Sequence, residues 1–114
     1  MTGFAGEKTL MRIFISEADR LKNRPLYKVL LELLNDRGFA GATVLKGVAG
    51  FGPHAEMHTD QLLRLSTELP LVIEVVDDEE KIQQIIPEFD EIMQGGMITL
   101  EKARVIRYRS GSKE

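Results

Sequence analysis

Two groups of residues have the types and spacing that chemistry needs. The first is His54-Ala-Glu-Met-His58, with Asp60 just downstream. On a helix the two imidazoles would stand one turn apart with Glu56 and Asp60 nearby, a donor set suited to a divalent metal. The order is not the His-Glu-x-x-His of zinc peptidases, and Gly52-Pro53 disfavours a helix at this point, so solvated loop histidines are the competing reading. The second group is Gly95-Gly96-Met97, followed by the basic stretch Arg104 to Arg109. Glycine amides approach phosphate oxygens closely, and Arg107 and Arg109, two apart on a strand, would project from one face as paired phosphate donors. Its competing reading is a helix stop followed by a solvated arginine edge that blunts strand pairing.

Other reactive types have weaker claims. Asp77, Asp78, Glu79 and Glu80 can hold a divalent ion, yet carboxylates in a first helical turn also favour the helix dipole and need no ligand to explain them. Ser16, Ser66 and Thr67 have no local base arrangement. The chain contains no cysteine, which removes thiol nucleophiles, disulfides and iron–sulfur ligation. The residues therefore point to binding rather than to an enzyme.

Positioning these residues takes both strands and helices. Lys8 to Ile15 is β-branched and aromatic enough for a strand buried on much of both faces. Asn23 is placed to cap a helix over about 24–37, with Pro25 in its first turn and Leu26, Val29, Leu30, Leu33 and Leu34 as one apolar stripe ending at Gly38. Phe39 to Val48 suits a second strand, with Gly41 and Gly47 marking close packing or a bulge. Ala49 to Asp60 reads as a loop. A third strand lies between Leu62 and Val76, with Leu71 to Val76 its firmer part because Pro70 cannot donate to a ladder. Asp77 or Asp78 caps a second helix striped by Ile82, Ile85, Ile86, Phe89, Ile92 and Met93, and Pro87 is expected to kink or split it before Gly95. The last strand covers about 97–108, and residues 110–114 form a frayed tail.

The order βαββαβ predicts an α+β, ferredoxin-like sandwich in which two helices cover one face of an antiparallel sheet. The open face then needs a partner, and a homo-oligomer is expected. At 114 residues the chain is one domain. Its formal net charge of −3 argues against nucleic acid and against anionic lipid as partners. No apolar run approaches the roughly 20 residues of a membrane span, and Met1 to Glu7 lacks the features of a secretory signal, so a cytoplasmic location without membrane insertion is expected.

The stretch Gly38-Phe39-Ala40-Gly41-Ala42-Thr43-Val44-Leu45-Lys46-Gly47-Val48-Ala49-Gly50-Phe51-Gly52, with His58-Thr59 and Leu69-Pro70-Leu71-Val72-Ile73-Glu74 downstream, resembles the uncharacterised PII-like family of bacterial and archaeal proteins (domain of unknown function 190). The resemblance covers nearly the whole chain. It implies a ferredoxin-like protomer assembled as a trimer, with residues 50–62 in the place of the effector-contacting loop of PII signalling proteins. Gly50, Phe51, Gly52 and His58 would belong to that loop. PII proteins bind nucleotides in clefts between subunits, and Leu100 to Gly111 looks like their closing strand, in which Arg107 and Arg109 match a phosphate-contacting pair. Gly95 and Gly96 fall where those proteins carry a glycine-rich phosphate loop. Met97 stands where that loop has a lysine, and the loop's acidic residue is missing. Loss of one charge-assisted contact costs on the order of 1.5 to 3 kcal/mol, so a nucleotide with fewer phosphates is expected to fit better than a triphosphate. No tyrosine lies between Gly50 and Leu62 to accept the modification known in some PII proteins.

The resemblance thus implies a trimeric regulator that takes a small anionic effector, AMP, cyclic AMP, ADP or ATP, near Arg107 and Arg109. Relatives are sometimes encoded beside membrane ion transporters, which makes a transporter the implied partner. The alternatives are a metal sensor or metal-dependent hydrolase built on His54, Glu56, His58 and Asp60, and a structural oligomer without a small ligand.

Overall fold

Period-two alternation decides the centre of the molecule. The computed structural model describes residues 5–52, 69–109 and 111. Strand β1 is Gly6–Ser16, in which Thr9, Met11, Ile13 and Ile15 are buried and Leu10, Arg12 and Phe14 between them are half-buried. One face is therefore sealed and the other is not, which is less than the two-sided burial expected of this strand. After it come a minimal hairpin of β2 (Arg20–Leu21) and β3 (Arg24–Pro25), helix α1 (Leu26–Asp36), β4 (Thr43–Lys46), β5 (Pro70–Asp77), helix α2 (Glu79–Ile92) and β6 (Met97–Val105).

The main sheet runs β4-β5-β1-β6, with each neighbouring pair antiparallel. This is the expected α+β ferredoxin-like arrangement, with the β2–β3 hairpin added between β1 and α1. Register keeps like with like, since Met11, Ile13 and Ile15 stand opposite Val75, Ile73 and Leu71. That face forms one core with Leu26, Leu30 and Leu34 of α1 and Ile82, Ile85 and Phe89 of α2. The i, i+4 and i, i+3 spacings turn each trio onto one side of its helix.

Four local expectations differ from the structure. Asn23 does not cap α1. With Lys22 it forms the β2–β3 turn, at φ 69° and 49°, and Pro25 takes the cap position instead. Positive φ at both central residues suits the twist of a two-residue hairpin, and Asn tolerates it well. Helix α2 is continuous through Pro87. The proline is exposed, and buried Ile82, Ile85 and Phe89 anchor the helix on both sides of the single ladder bond that Pro87 removes. Pro70, expected to lie outside the firm Leu71 to Val76 part, is the first residue of β5, and its carbonyl accepts the Gly47 N–H at 2.8 Å. Finally, β6 stops at Val105, not at Tyr108.

The opposite face of the sheet carries Leu10, Phe14, Val72, Val76, Leu45 and Met97, and no described element covers it. Across its middle, Arg12 donates to Glu74 on one side at 2.9 Å and to Glu101 on the other at 3.0 Å. Leu45 and Met97 remain 47% and 54% exposed, an apolar surface typical of a contact with another chain.

Candidate functional site

The two halves of the expected phosphate site lie at opposite ends of β6. Phe14 pairs with Met97 at one end and Gly6 with Val105 at the other, which at about 3.3 Å per residue separates the ends by roughly 26 Å. One chain therefore cannot bring Gly95 and Gly96 to the same phosphate as Arg107 and Arg109.

At the first end, the turn between α2 and β6 borders a pocket lined by Asp90, Met93, Gln94, Met97 and Ile98 beside the two glycines. Its ionisable side chain is the carboxylate of Asp90, which repels phosphate. Gly96 has φ +96°, and a Cβ there would stand 2.6 Å from the Phe14 carbonyl oxygen, whereas Gly95 faces open space. Packing against β1 thus requires glycine at 96, with no ligand needed to explain it.

At the other end, Arg107 and Arg109 lie beyond the regular strand, exposed on either side of half-buried Tyr108. The Tyr108 hydroxyl donates to the Ala40 carbonyl at 3.3 Å. Ala40 N–H in turn donates to Asp77 Oδ2 at 2.9 Å, and Asp78 N–H donates to Asp77 Oδ1 at 2.8 Å. Asp77 is 2% exposed, because it is in phase with Leu71, Ile73 and Val75 on the sealed face. Lys81 donates to the Gly38 carbonyl at 2.8 Å, stands 3.5 Å from Asp77, and lies over the Phe39 ring at 5.4 Å from its centroid. The acidic run at 77–80 is thus divided: Asp77 braces the 38–40 turn, and Asp78 pairs with Lys8 at 2.7 Å. That hydrogen bond holds the Asp78 carboxyl below the ordinary aspartate range.

A third group joins the described chain on either side of residues 53–68 into a neck. Glu17 N–H donates to the Leu69 carbonyl at 2.9 Å, Leu69 N–H donates back to the Glu17 carboxylate at 3.1 Å, and Lys46 Nζ lies 3.2 Å from the same carboxylate. Gly47 sits so tightly on Pro70 that a Cβ would meet its ring at 2.8 Å. Gly50, Phe51 and Gly52 leave this neck, with Phe51 58% exposed. His54, Glu56, His58 and Asp60, and with them the metal reading, lie outside the described residues. Among the described residues no three His, Asp or Glu side chains converge on a metal-sized site, and no helix is long and apolar enough to cross a membrane.

The Leu69 amide first, and Lys46 second, hold the Glu17 carboxyl below its ordinary pKa. A depressed folded-state value means that the neck is whole above the ordinary glutamate range and is lost as pH falls through the lowered value. The Leu69 amide resonance is expected to titrate with a midpoint below that of an ordinary glutamate. Glu17→Ala should speed Leu69 amide exchange several-fold and leave Ile13 and Ile73 protected; unchanged exchange at Leu69 would show that the carboxylate does not hold the neck.

The sheet order is that of a PII-like ferredoxin fold. CPII, a nitrogen regulatory PII-like protein from Thiomonas intermedia K12 in complex with ADP, AMP and bicarbonate, superposes with a TM-score of 0.64 at 15% identity, over 92% of this chain and 99% of that one. A putative PII-like signaling protein from Thermus thermophilus, TTHA0516, gives 0.61 at 18% identity over 89% and 91%. The chain belongs to the DUF190 family, described as "Uncharacterized ACR", whose model matches residues 8–105. It is 42% identical over 100 residues to a UPF0166 protein of Aquifex aeolicus (strain VF5), covering 88% of this chain and 94% of that protein. UPF0166 protein MJ1524 of Methanocaldococcus jannaschii is 33% identical over 99 residues, covering 86% and 91%.

Residue types and spacing mark Arg107, Arg109, Gly95 and Gly96 as candidates. They gave no sign of Glu17 or Tyr108, whose partners are 52 and 68 residues away in the chain. The alternation of β5 was a sufficient signal for Asp77, since a charged residue in phase with three buried aliphatics must be paired or hydrogen-bonded.

Proposed function

We propose that this chain is a PII-like signalling protein. It assembles as a homotrimer through its open sheet face and binds a small anionic effector, an adenine nucleotide, in clefts between subunits. The 50–62 loop then reports the bound state to a partner, for which a membrane transporter is our candidate, in the cytoplasm. The observation that carries the reading is the division of the candidate phosphate-binding residues between the two ends of β6, in a fold whose neighbour CPII was solved with ADP and AMP. A site divided in this way closes only when a second copy brings its opposite end alongside. The apolar open face supplies a surface for that association, and the Glu74–Arg12–Glu101 stripe would restrict its register. A ligand shifts the loop only through different affinity for its two states.

Calorimetric titration with AMP, cyclic AMP, ADP and ATP, with and without magnesium, tests the reading, with the protomer number taken from light scattering of the same sample. Saturable binding to a trimer is expected, with affinity falling about tenfold or more in Arg107→Ala, the loss of one charge-assisted phosphate contact. Because Met97 and Asp90 offer no cation at the glycine turn, ATP is expected to gain little over ADP. Monomer mass at micromolar concentrations, or no heat at millimolar nucleotide, would refute the proposal.

A further inference from the structure

The arginine pair lies past Val105, where the register of β6 with β1 ends, and an isolated bridge at Arg109 is the only backbone pairing among described residues 106–109. Three residues beyond Val105, however, burial changes in the order exposed, half-buried, exposed at Arg107, Tyr108 and Arg109. We propose that Tyr108 is the positioning residue for this pair. By turning its phenol inward to the Ala40 carbonyl, it turns both arginines outward on the same side of the chain.

The anchor is not itself a loose loop. Ala40 N–H is held by Asp77, a carboxylate 2% exposed at the end of β5. The preceding Gly38 carbonyl accepts Lys81 of α2 at 2.8 Å, and the Phe39 ring lies under the same ammonium. The 38–40 turn is thus tied to a core strand and to a helix that packs on the core. Tyr108 transmits that rigidity to the tail through a hydrogen bond spanning 68 positions of sequence. Ordering two long cationic side chains before a ligand arrives reduces the entropy lost when it binds, so loss of the tether weakens anion binding without removing any charge. The inference concerns the arginine site of the function proposed above and rests on that reading for its effect on affinity, but the tether is measurable without a ligand.

The test compares wild type, Tyr108→Phe and Arg107→Ala as full-length chains. Limited tryptic digestion under native conditions is expected to cut after Arg107 and Arg109 several-fold faster in Tyr108→Phe, with an unchanged melting temperature. Unchanged cleavage would overturn the tether whether or not nucleotide binds, and so would faster cleavage accompanied by a general loss of melting temperature. If wild type binds AMP or ADP, Tyr108→Phe is expected to weaken binding several-fold. The same substitution should add little in the Arg107→Ala background, because a tether has less to position once one of the pair is gone. Full additivity of the two changes would show that Tyr108 acts separately from the arginine, and would overturn its positioning role. Absence of nucleotide binding in wild type would defeat the proposed function and leave the cleavage result to decide on the tether.

Discussion

Phe89→Ala is expected to lower the unfolding free energy by about 3–5 kcal/mol, the range for removing a fully enclosed aromatic ring. Phe89 is 0% exposed and lies in the core formed by both helices and the sealed sheet face. It sits two residues after Pro87, where α2 lacks one ladder bond and depends on packing to continue. A domain of this size has roughly 5–15 kcal/mol of stability in total, so the substitution removes about a fifth of it or more. Urea unfolding at a fixed protomer concentration is the appropriate measurement, because association would otherwise contribute to the apparent value. A loss under about 1 kcal/mol would mean that the site collapses around the missing ring, and that α2 is not held by it.

Gly96→Ala should cost about 2–4 kcal/mol, combining a strained left-handed backbone with displacement of neighbouring atoms. The added Cβ would meet the Phe14 carbonyl oxygen at 2.6 Å, Met93 Cε at 3.1 Å and Ile15 Cγ2 at 3.3 Å. The two side-chain atoms can move, but the carbonyl oxygen belongs to β1 and carries the central strand with it. Gly95→Ala is the control, with open space around the new methyl group, and should change stability by no more than about 0.5 kcal/mol. The pair separates two explanations of adjacent glycines. Should Gly96→Ala leave stability intact while abolishing nucleotide binding, the residue serves the ligand and the packing account is wrong.

Features set by short-range pattern were legible. Alternation located β1 and β5, leucine spacing located α1, and their order was enough for the sheet topology. The motifs between Gly38 and Glu74 also led to the family that the comparisons show. Local competition between two valid rules was harder to judge. Asn23 is as suitable for a positive-φ turn as for a helix cap, and which role it takes depends on whether Arg20 and Leu21 find partners in Arg24 and Pro25. Pro87 disfavours a helix by a rule that buried Ile82, Ile85 and Phe89 override. At the candidate site, residue types were readable but distance was not: the sequence places Gly96 and Arg107 only 11 positions apart, and an extended strand turns that short separation into opposite ends of β6. The Glu17 neck and the Tyr108 tether arise only after the sheet has closed.

The place of β5 joins two of these features. Its first residue follows the Leu69 that Glu17 grips, and its last is the Asp77 that braces Ala40. The strand is eight residues long, roughly 24 Å over its seven steps at about 3.4 Å each, and is paired to β1 along its whole length. A paired strand does not stretch, and slipping by one residue would expose Leu71, Ile73 and Val75 and bury Glu74. It therefore has the character of a connecting rod of fixed length: a displacement at Leu69 would reach Ala40 only as a shift or tilt of the rod as a whole.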